Sequence, residues 1–384
     1  MTNKQRVYAA LEGWPVDRFP VTVLYSQLYH LDHFAELTGL PAWARHQWLC
    51  ASPEEHVGLL RSILAAVPLE TVQPQIAPPR AWRERQEFVV REGHPHRHDR
   101  GTDEWVRLDL PTISGHATDY AANDAQYVFG EADVVEKVVV TPAEELVAEG
   151  MNDYVVAAVE AMGEEQFILS GGVVGTVYAC GAYVGQANLL AMLIEQPDLV
   201  EHLCGRVLEQ NLEVIRALAR AGGDAIYIDD ATATSDMISP AHYERFSLPY
   251  VREMVREIHR LGHKAILIYF GGIADRLDLI ATTGADALSM ETSMKGYVND
   301  IGDIAARLGD RMALFGNLDP VWVLEKGSEA ELEAEIVRQV DAGRRARGFL
   351  VCTGSPVTPA TPLDRIHRFL ELGRSLGRTP AGAA

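Results

Sequence analysis

Cysteine is scarce: four residues in 384, at Cys50, Cys180, Cys204 and Cys352. None forms a Cys-x-x-Cys pair, and the spacing suggests neither a disulfide framework nor a zinc ribbon. Apolar runs stop short of the roughly 18 residues that a membrane helix needs. The nearest, 167–184, is interrupted by glycines. The opening MTNKQRVYAALEGW holds no long apolar stretch, so it does not read as a secretory signal, and a cytoplasmic location with free thiols is expected. Positive charge is also in deficit: Lys+Arg is 34 against 54 Asp+Glu, a net charge of −20. That disfavours nucleic acid and anionic membrane as partners, while leaving room for a local basic pocket with an anionic ligand. Neither G-x-x-x-x-G-K-[ST] nor a G-x-G-x-x-G after a strand occurs, which disfavours P-loop and dinucleotide-binding enzymes.

What is present is a regular second half. Apolar runs FILSGG (167–172), DAIYIDD (224–230), KAILIYF (264–270), DALSME (286–291), RMALFGN (311–317) and GFLVCTG (348–354) alternate with amphipathic segments. Those segments predict helices near 188–221, 240–261, 273–283, 300–308, 328–345 and 363–375. Ser239-Pro240 and Thr361-Pro362 each read as a capping hydroxyl before a proline at the first helical position. Continuous apolar strands separated by helices mean a parallel sheet covered on its outer face. With FPVTVLY (19–25) and a strand near LETVQP (69–74), the count reaches eight. The expected fold is therefore α/β, a (β/α)8 TIM barrel in one domain over 1–384. Residues 26–160 are expected to form an irregular elaboration over the barrel mouth, with short helices and a β-hairpin whose arms are 86–92 and 102–110. A first helix over 4–13, capped by Asn3, and a frayed tail over 378–384 complete the reading.

Barrel sites lie at the C-terminal ends of the strands. Those ends supply the candidates: Asp229, Asp230 and Glu291 as catalytic acids, and Tyr25, Tyr269, Phe270, Asn317 and Ser355 as substrate contacts. Tyr29 and His30 follow the first strand closely and join the second group. Adjacent carboxylates point to opposite faces of a strand, so only one of Asp229 and Asp230 can enter the pore. Lys295 is a candidate partner for Glu291. His94, His96 and His98 alternate and can present three imidazoles to one metal. Pro95 and Arg97 place that run in a hairpin tip, however, and no metal is expected. Cys180 and Cys204 read as core residues, and packing is the default role for Cys352.

The opening NKQRVYAALEGWPVDRFPV resembles the start of the uroporphyrinogen decarboxylase superfamily, matching its pattern at Arg6, Ala10, Leu11, Gly13, Asp17, Arg18, Pro20 and Val21. Agreement continues through ISPAHYERFSLPYVREMVREIH (238–259), TGADALSME (283–291), LGDRMALFGNLDP (308–320) and TPATPLDRIHRFLE (358–371). The resemblance implies a (β/α)8 barrel and one of two activities: decarboxylation of porphyrinogen acetates, or zinc-assisted methyl transfer between corrinoids and thiols. The chain departs from both. The stretch that would carry the decarboxylase arginines reads LYSQLYHLDHF (24–34), with no arginine. The positions of the methyltransferase His-x-Cys and later Cys are Ile268, Phe270 and Ser355, and Ser355 also stands where decarboxylases place a His.

The leading expectation is thus a zinc-independent, methyltransferase-like enzyme. It would demethylate a small methylated compound, with no tightly bound cofactor and with a corrinoid protein as partner. One rival is a lyase acting on another carboxylate, with Arg18, Arg80 and Lys295 as its cations. Another is a non-catalytic ligand- or corrinoid-binding barrel. Oligomeric state stays open.

Overall fold

A computed structural model describes residues 1–108, 130–293 and 296–379. Its main sheet is parallel and has seven strands: β1 (Thr71–Val72), β5 (Phe167–Val174), β6 (Ala225–Asp229), β7 (Lys264–Tyr269), β8 (Ala287–Met290), β9 (Ala313–Phe315) and β10 (Phe349–Leu350), in that order. The segment 19–25 joins the two edges. Val21 bridges Val351 in parallel, Val351 N donates to Pro20 O at 2.8 Å, and Glu70 N donates to Val21 O at 3.3 Å. A hydroxyl pair, Thr22–Thr71 at 2.6 Å, reinforces the seam. The ring is therefore closed, and no unpaired sheet edge is left at that seam.

Two apolar layers hold it. Outward side chains such as Ile226, Ile228, Leu267 and Leu288 pack beneath the helices. Inward ones, including Ile266, Ile268, Phe315 and Cys352, fill the pore. The helix Asn3–Glu12 plugs the N-terminal end, because Val7, Ala10 and Leu11 pack with the pore residues. The fit is close enough that a Cβ on Gly348 would stand 1.6 Å from Ala10 O. Lys4 Nζ–Asp224 (2.8 Å) and Arg6–Asp17 (2.7 Å) fix the plug at its rim.

Several expectations change in detail. Thr2, not Asn3, caps the first helix, through a capping box with Gln5. The long helix expected over 188–221 is two, Gln186–Glu195 and Pro197–Ala219, and a further helix, Thr176–Val184, precedes them. Gly185 breaks the first junction with φ 81°, and Pro197 starts the last helix. Ser239 caps Pro240–Phe246 as expected, but Thr361 bonds Thr358 instead of capping Leu363–Leu376. The expected hairpin is a three-stranded antiparallel sheet of β2 (Gln86–Arg91), β3 (His94–Asp99) and β4 (Glu104–Arg107). The histidine run is its middle strand rather than a tip, because Glu92 (φ 52°) and Gly93 (φ 78°) make a two-residue turn just before it. Positions 109–110 of the expected arm, Lys295 and the tail beyond 379 lie outside the described residues. Arg378, the first residue expected to fray, bridges Arg18. Among the described residues no single helix is long and apolar enough to cross a membrane.

Candidate active site

The segment 19–25 delivers Tyr25 to the C-terminal rim in a left-handed conformation (φ 49°, ψ 51°), which costs a non-glycine residue roughly 1–3 kcal/mol. The strained turn aims its hydroxyl at Asp229, where it donates to Oδ2 at 2.6 Å. Tyr227 and Asp229 are two residues apart on β6 and share the inner face. The Tyr227 ring meets Tyr25 edge-on at 5.5 Å, and its hydroxyl accepts from Gln73 Nε2 at 3.0 Å. Phe270, just past β7, stacks on Tyr25 at 5.9 Å and 23°. Burial pushes the Asp229 carboxyl up to about 6, and the Tyr25 hydroxyl only partly offsets it. Tyr25 occupies Oδ2, while Oδ1 is buried with no hydrogen-bond partner among the described residues and is the oxygen free to carry a proton.

Two strands further round, Glu291 follows β8. Its carboxyl accepts from Ser355 Oγ at 3.2 Å and from the Tyr297 hydroxyl, and the residue is only 5% exposed. Beneath the rim, a cavity of about 30 Å³ bounded by Ser289, Ile266, Ile268, Phe315 and Cys352 has room for about one water. The space beneath the Tyr25–Phe270 pair is thus too small for anything larger than a water. Cys352 does face this interior, where burial raises its thiol to about 12 and leaves it protonated.

Other candidates are placed differently. Asp230 points behind the sheet, where Ser247 Oγ donates to it and a Cβ on Gly175 would stand 2.1 Å from its Oδ1. Full burial raises it to about 7, but it serves packing behind the strand. Tyr269 faces the helices and shares a hydroxyl bond with Tyr243 at 2.8 Å, since its neighbour Phe270 takes the inward direction. Tyr29 is buried, stacks on His33 at 4.2 Å and donates to Thr361 O at 3.5 Å. His30 is buried with neither ring nitrogen bonded, and desolvation lowers it to about 3, so it stays neutral. Asn317 is a brace: its amide donates to Asn299 O (2.8 Å) and Glu291 O (3.4 Å) and accepts from Gln339 (3.0 Å). These contacts occupy the groups that a substrate would need.

Sequence reasoning missed Tyr227, Gln73 and Tyr297. Tyr227 was accessible from strand alternation with Asp229. Gln73 lies in the strand expected near 69–74, where alternation puts it on the same face as Thr71, whereas Tyr297 sits in an irregular segment with no periodic signal.

The residues at the zinc-ligand positions were also tested as donors. Ile268 and Phe270 both point inward, but as hydrocarbons, and Ser355 is a hydroxyl bonded to Glu291. This set does not fit a tetrahedral Cys/His zinc site. On β3, His98 stacks on Trp105 at 4.0 Å and its nitrogens face Glu87 (3.4 Å) and Asp103 (2.9 Å). Among the described residues no three His, Cys, Asp or Glu side chains stand together as a metal site. Elemental analysis of untagged protein is expected to find zinc well below one per chain. One zinc per chain that persists after replacing His94, His96 and His98 with Ala would contradict this.

Comparison with known proteins converges on one family. The family described as Uroporphyrinogen decarboxylase (URO-D) matches residues 122–376. A uroporphyrinogen decarboxylase of Prochlorococcus marinus (strain MIT 9313) is 30% identical over 237 residues, 59% of this chain and 63% of that protein. One from Coxiella burnetii (strain Dugway 5J108-111) is 30% identical over 187 residues, 47% and 48% of the two chains. The chain thus spans less than two thirds of the length of either relative. A solved methyltransferase from Methanosarcina mazei superposes with a TM-score of 0.69 at 20% identity, covering 98% of this chain and 99% of that one, which shows a shared fold.

Proposed function

The chain belongs to the uroporphyrinogen decarboxylase family, and from that premise we propose that it is a methyltransferase-like enzyme that demethylates a small compound without zinc. The observation that carries this reading is the Tyr25–Asp229 pair, a carboxyl raised to about 6 and oriented by a phenol beside the aromatic face of Phe270. Loss of a methyl group from oxygen or nitrogen leaves an anion or a basic amine, and a positioned acid stabilises it by proton transfer. Asp229 holds that proton on Oδ1, Tyr25 fixes the carboxyl, and Phe270 with Tyr227 offers aromatic surface for a ring or cation. Glu291, with Tyr297 and Ser355, bounds the far side. A corrinoid carried by a partner protein would supply the nucleophile that accepts the methyl group.

A carboxy-lyase is the second reading, favoured by the names of the relatives. It needs cations at the mouth. Arg18 stands at the opposite end of the barrel, beside Glu70 at 2.6 Å, and Arg80 makes a bidentate pair with Asp153 at 2.7 and 3.1 Å. A substrate with many carboxylates would then meet Asp229 and Glu291, with a heavy desolvation cost. The test has two arms under anaerobic conditions. Methoxylated and methylamine compounds are offered with reduced cobalamin, and methylcobalamin is followed by absorbance; uroporphyrinogen is offered alone, and coproporphyrinogen is followed by chromatography. Methyl transfer without decarboxylation is expected, and coproporphyrinogen as the product would overturn the reading.

A further inference from the structure

At the end of the barrel opposite the mouth, residues that precede their strands gather. Arg18 precedes the segment 19–25, Pro68 precedes β1, and the last turns of the helix Leu363–Leu376 return beside them with Arg378. Together they surround an open cavity of about 450 Å³, a size usual for small-molecule sites. Arg18, Arg374 and Arg378 all line it, and a backbone bridge sets Arg18 beside Arg378.

The charges do not cancel. Glu70 lies fully buried next to the cavity and meets Arg18 at 2.6 Å, Arg6 at 3.3 Å and Arg374 at 3.4 Å. Glu371 lines the cavity too, but Arg368 holds it at 2.9 Å. Arg378 is exposed and makes no ion pair or side-chain hydrogen bond among the described residues. Of the three guanidiniums lining the cavity, two share Glu70 with Arg6, and Arg378 adds a third positive charge. This surplus stands in a chain of net charge −20, whose overall field repels anions. Holding Glu70 does not require Arg378, and a planar guanidinium suits two oxygens of a phosphate.

We propose that this cavity binds a phosphate-bearing small molecule through Arg18, Arg374 and Arg378. The site is separate from the mouth, so its ligand acts on the barrel rather than on the reaction. It ties the start of the closing segment to the last helix. The N-terminal face of a barrel governs stability, and stabilisation is the effect to look for.

The test uses the full chain with orthophosphate or pyrophosphate, against sodium chloride at matched ionic strength. A saturable rise in Tm of about 2 °C or more is expected at millimolar anion, with one site per chain by calorimetry. Arg378→Glu should not lower the unliganded Tm, because Arg378 has no side-chain partner to lose among the described residues, and should weaken binding by roughly 10-fold or more. Arg256→Glu, an exposed arginine outside the cavity, should leave affinity unchanged. Equal binding of the two anions assigns a single phosphate group, and tighter pyrophosphate assigns a diphosphate. Absence of saturation, or equal weakening by both substitutions, overturns the proposal.

Discussion

Asp229→Asn is expected to lower turnover by roughly 10²–10⁴-fold while leaving the barrel folded. Asparagine keeps the shape and can still accept the Tyr25 hydroxyl, but it has no proton to give. The pH profile separates this from a simple loss of binding. An acid must be protonated to act, so wild-type activity should fall as pH rises through about 6, the value to which burial raises Asp229. The Asn variant should have no such limb. Stability carries the same signature. The folded carboxyl titrates above its ordinary 3.8, so the stability linked to its neutral form is present at low pH and is lost as pH rises through about 6. Between pH 5 and pH 8 the wild type should therefore lose more Tm than the Asn variant. Asp230, raised to about 7 by burial and in part by the neighbouring Asp229 charge, titrates in both proteins but is raised less in the Asn variant, which adds to the difference in the same sense. Glu291→Gln is the control. If Glu291 rather than Asp229 delivers the proton, Glu291→Gln shows the larger loss and the assignment of the acid fails.

The barrel could be read from sequence because its strands are covered on both faces. Runs such as AILIYF (265–270) and AIYI (225–228) are apolar throughout, and continuous apolarity is what burial between a filled pore and a helix layer demands. Strand alternation also showed that only one of Asp229 and Asp230 can enter the pore, and the structure selects Asp229. Applied to the next strand, the same rule separates Tyr269 from Phe270, since adjacent residues cannot both face the pore, and the inward Ile268 decides for Phe270. The capping box was equally accessible: only Thr2 has a glutamine three residues on, at Gln5. Gly185 and Pro197 carried the helix breaks in plain view. The rest was hidden for a physical reason. Tyr297 reaches Glu291 across a loop, and Asn317 braces three segments that meet only after the ring closes. Such contacts have no period. The left-handed backbone of Tyr25 has no local sequence signal either, because surrounding contacts rather than residue type impose it.

Closing the ring depends on Glu70, and Glu70→Gln is expected to destabilise the fold by about 3–5 kcal/mol. The carboxylate is fully buried at the seam, where its own amide donates to Val21 O at 3.3 Å. Its oxygens meet Arg18 at 2.6 Å, Arg6 at 3.3 Å and Arg374 at 3.4 Å. Glutamine preserves the volume and removes the charge, so the cost is electrostatic rather than a cavity. Arg6 retains Asp17 at 2.7 Å, and Arg374 retains the Pro68 carbonyl. Among the described residues Arg18 keeps only the Phe19 carbonyl at 3.2 Å and is the group left poorly compensated. The loss should appear as a fall in Tm on the order of 5–10 °C. Arg18→Met, added to Glu70→Gln, removes that stranded charge and should recover part of the fall. Phosphate should also recover part of it, if the neighbouring cavity supplies the guanidiniums with a substitute anion. A Glu70→Gln protein that melts within 1–2 °C of wild type would show that the three arginines are held well enough by water and carbonyls, and that the seam rests on its backbone hydrogen bonds alone.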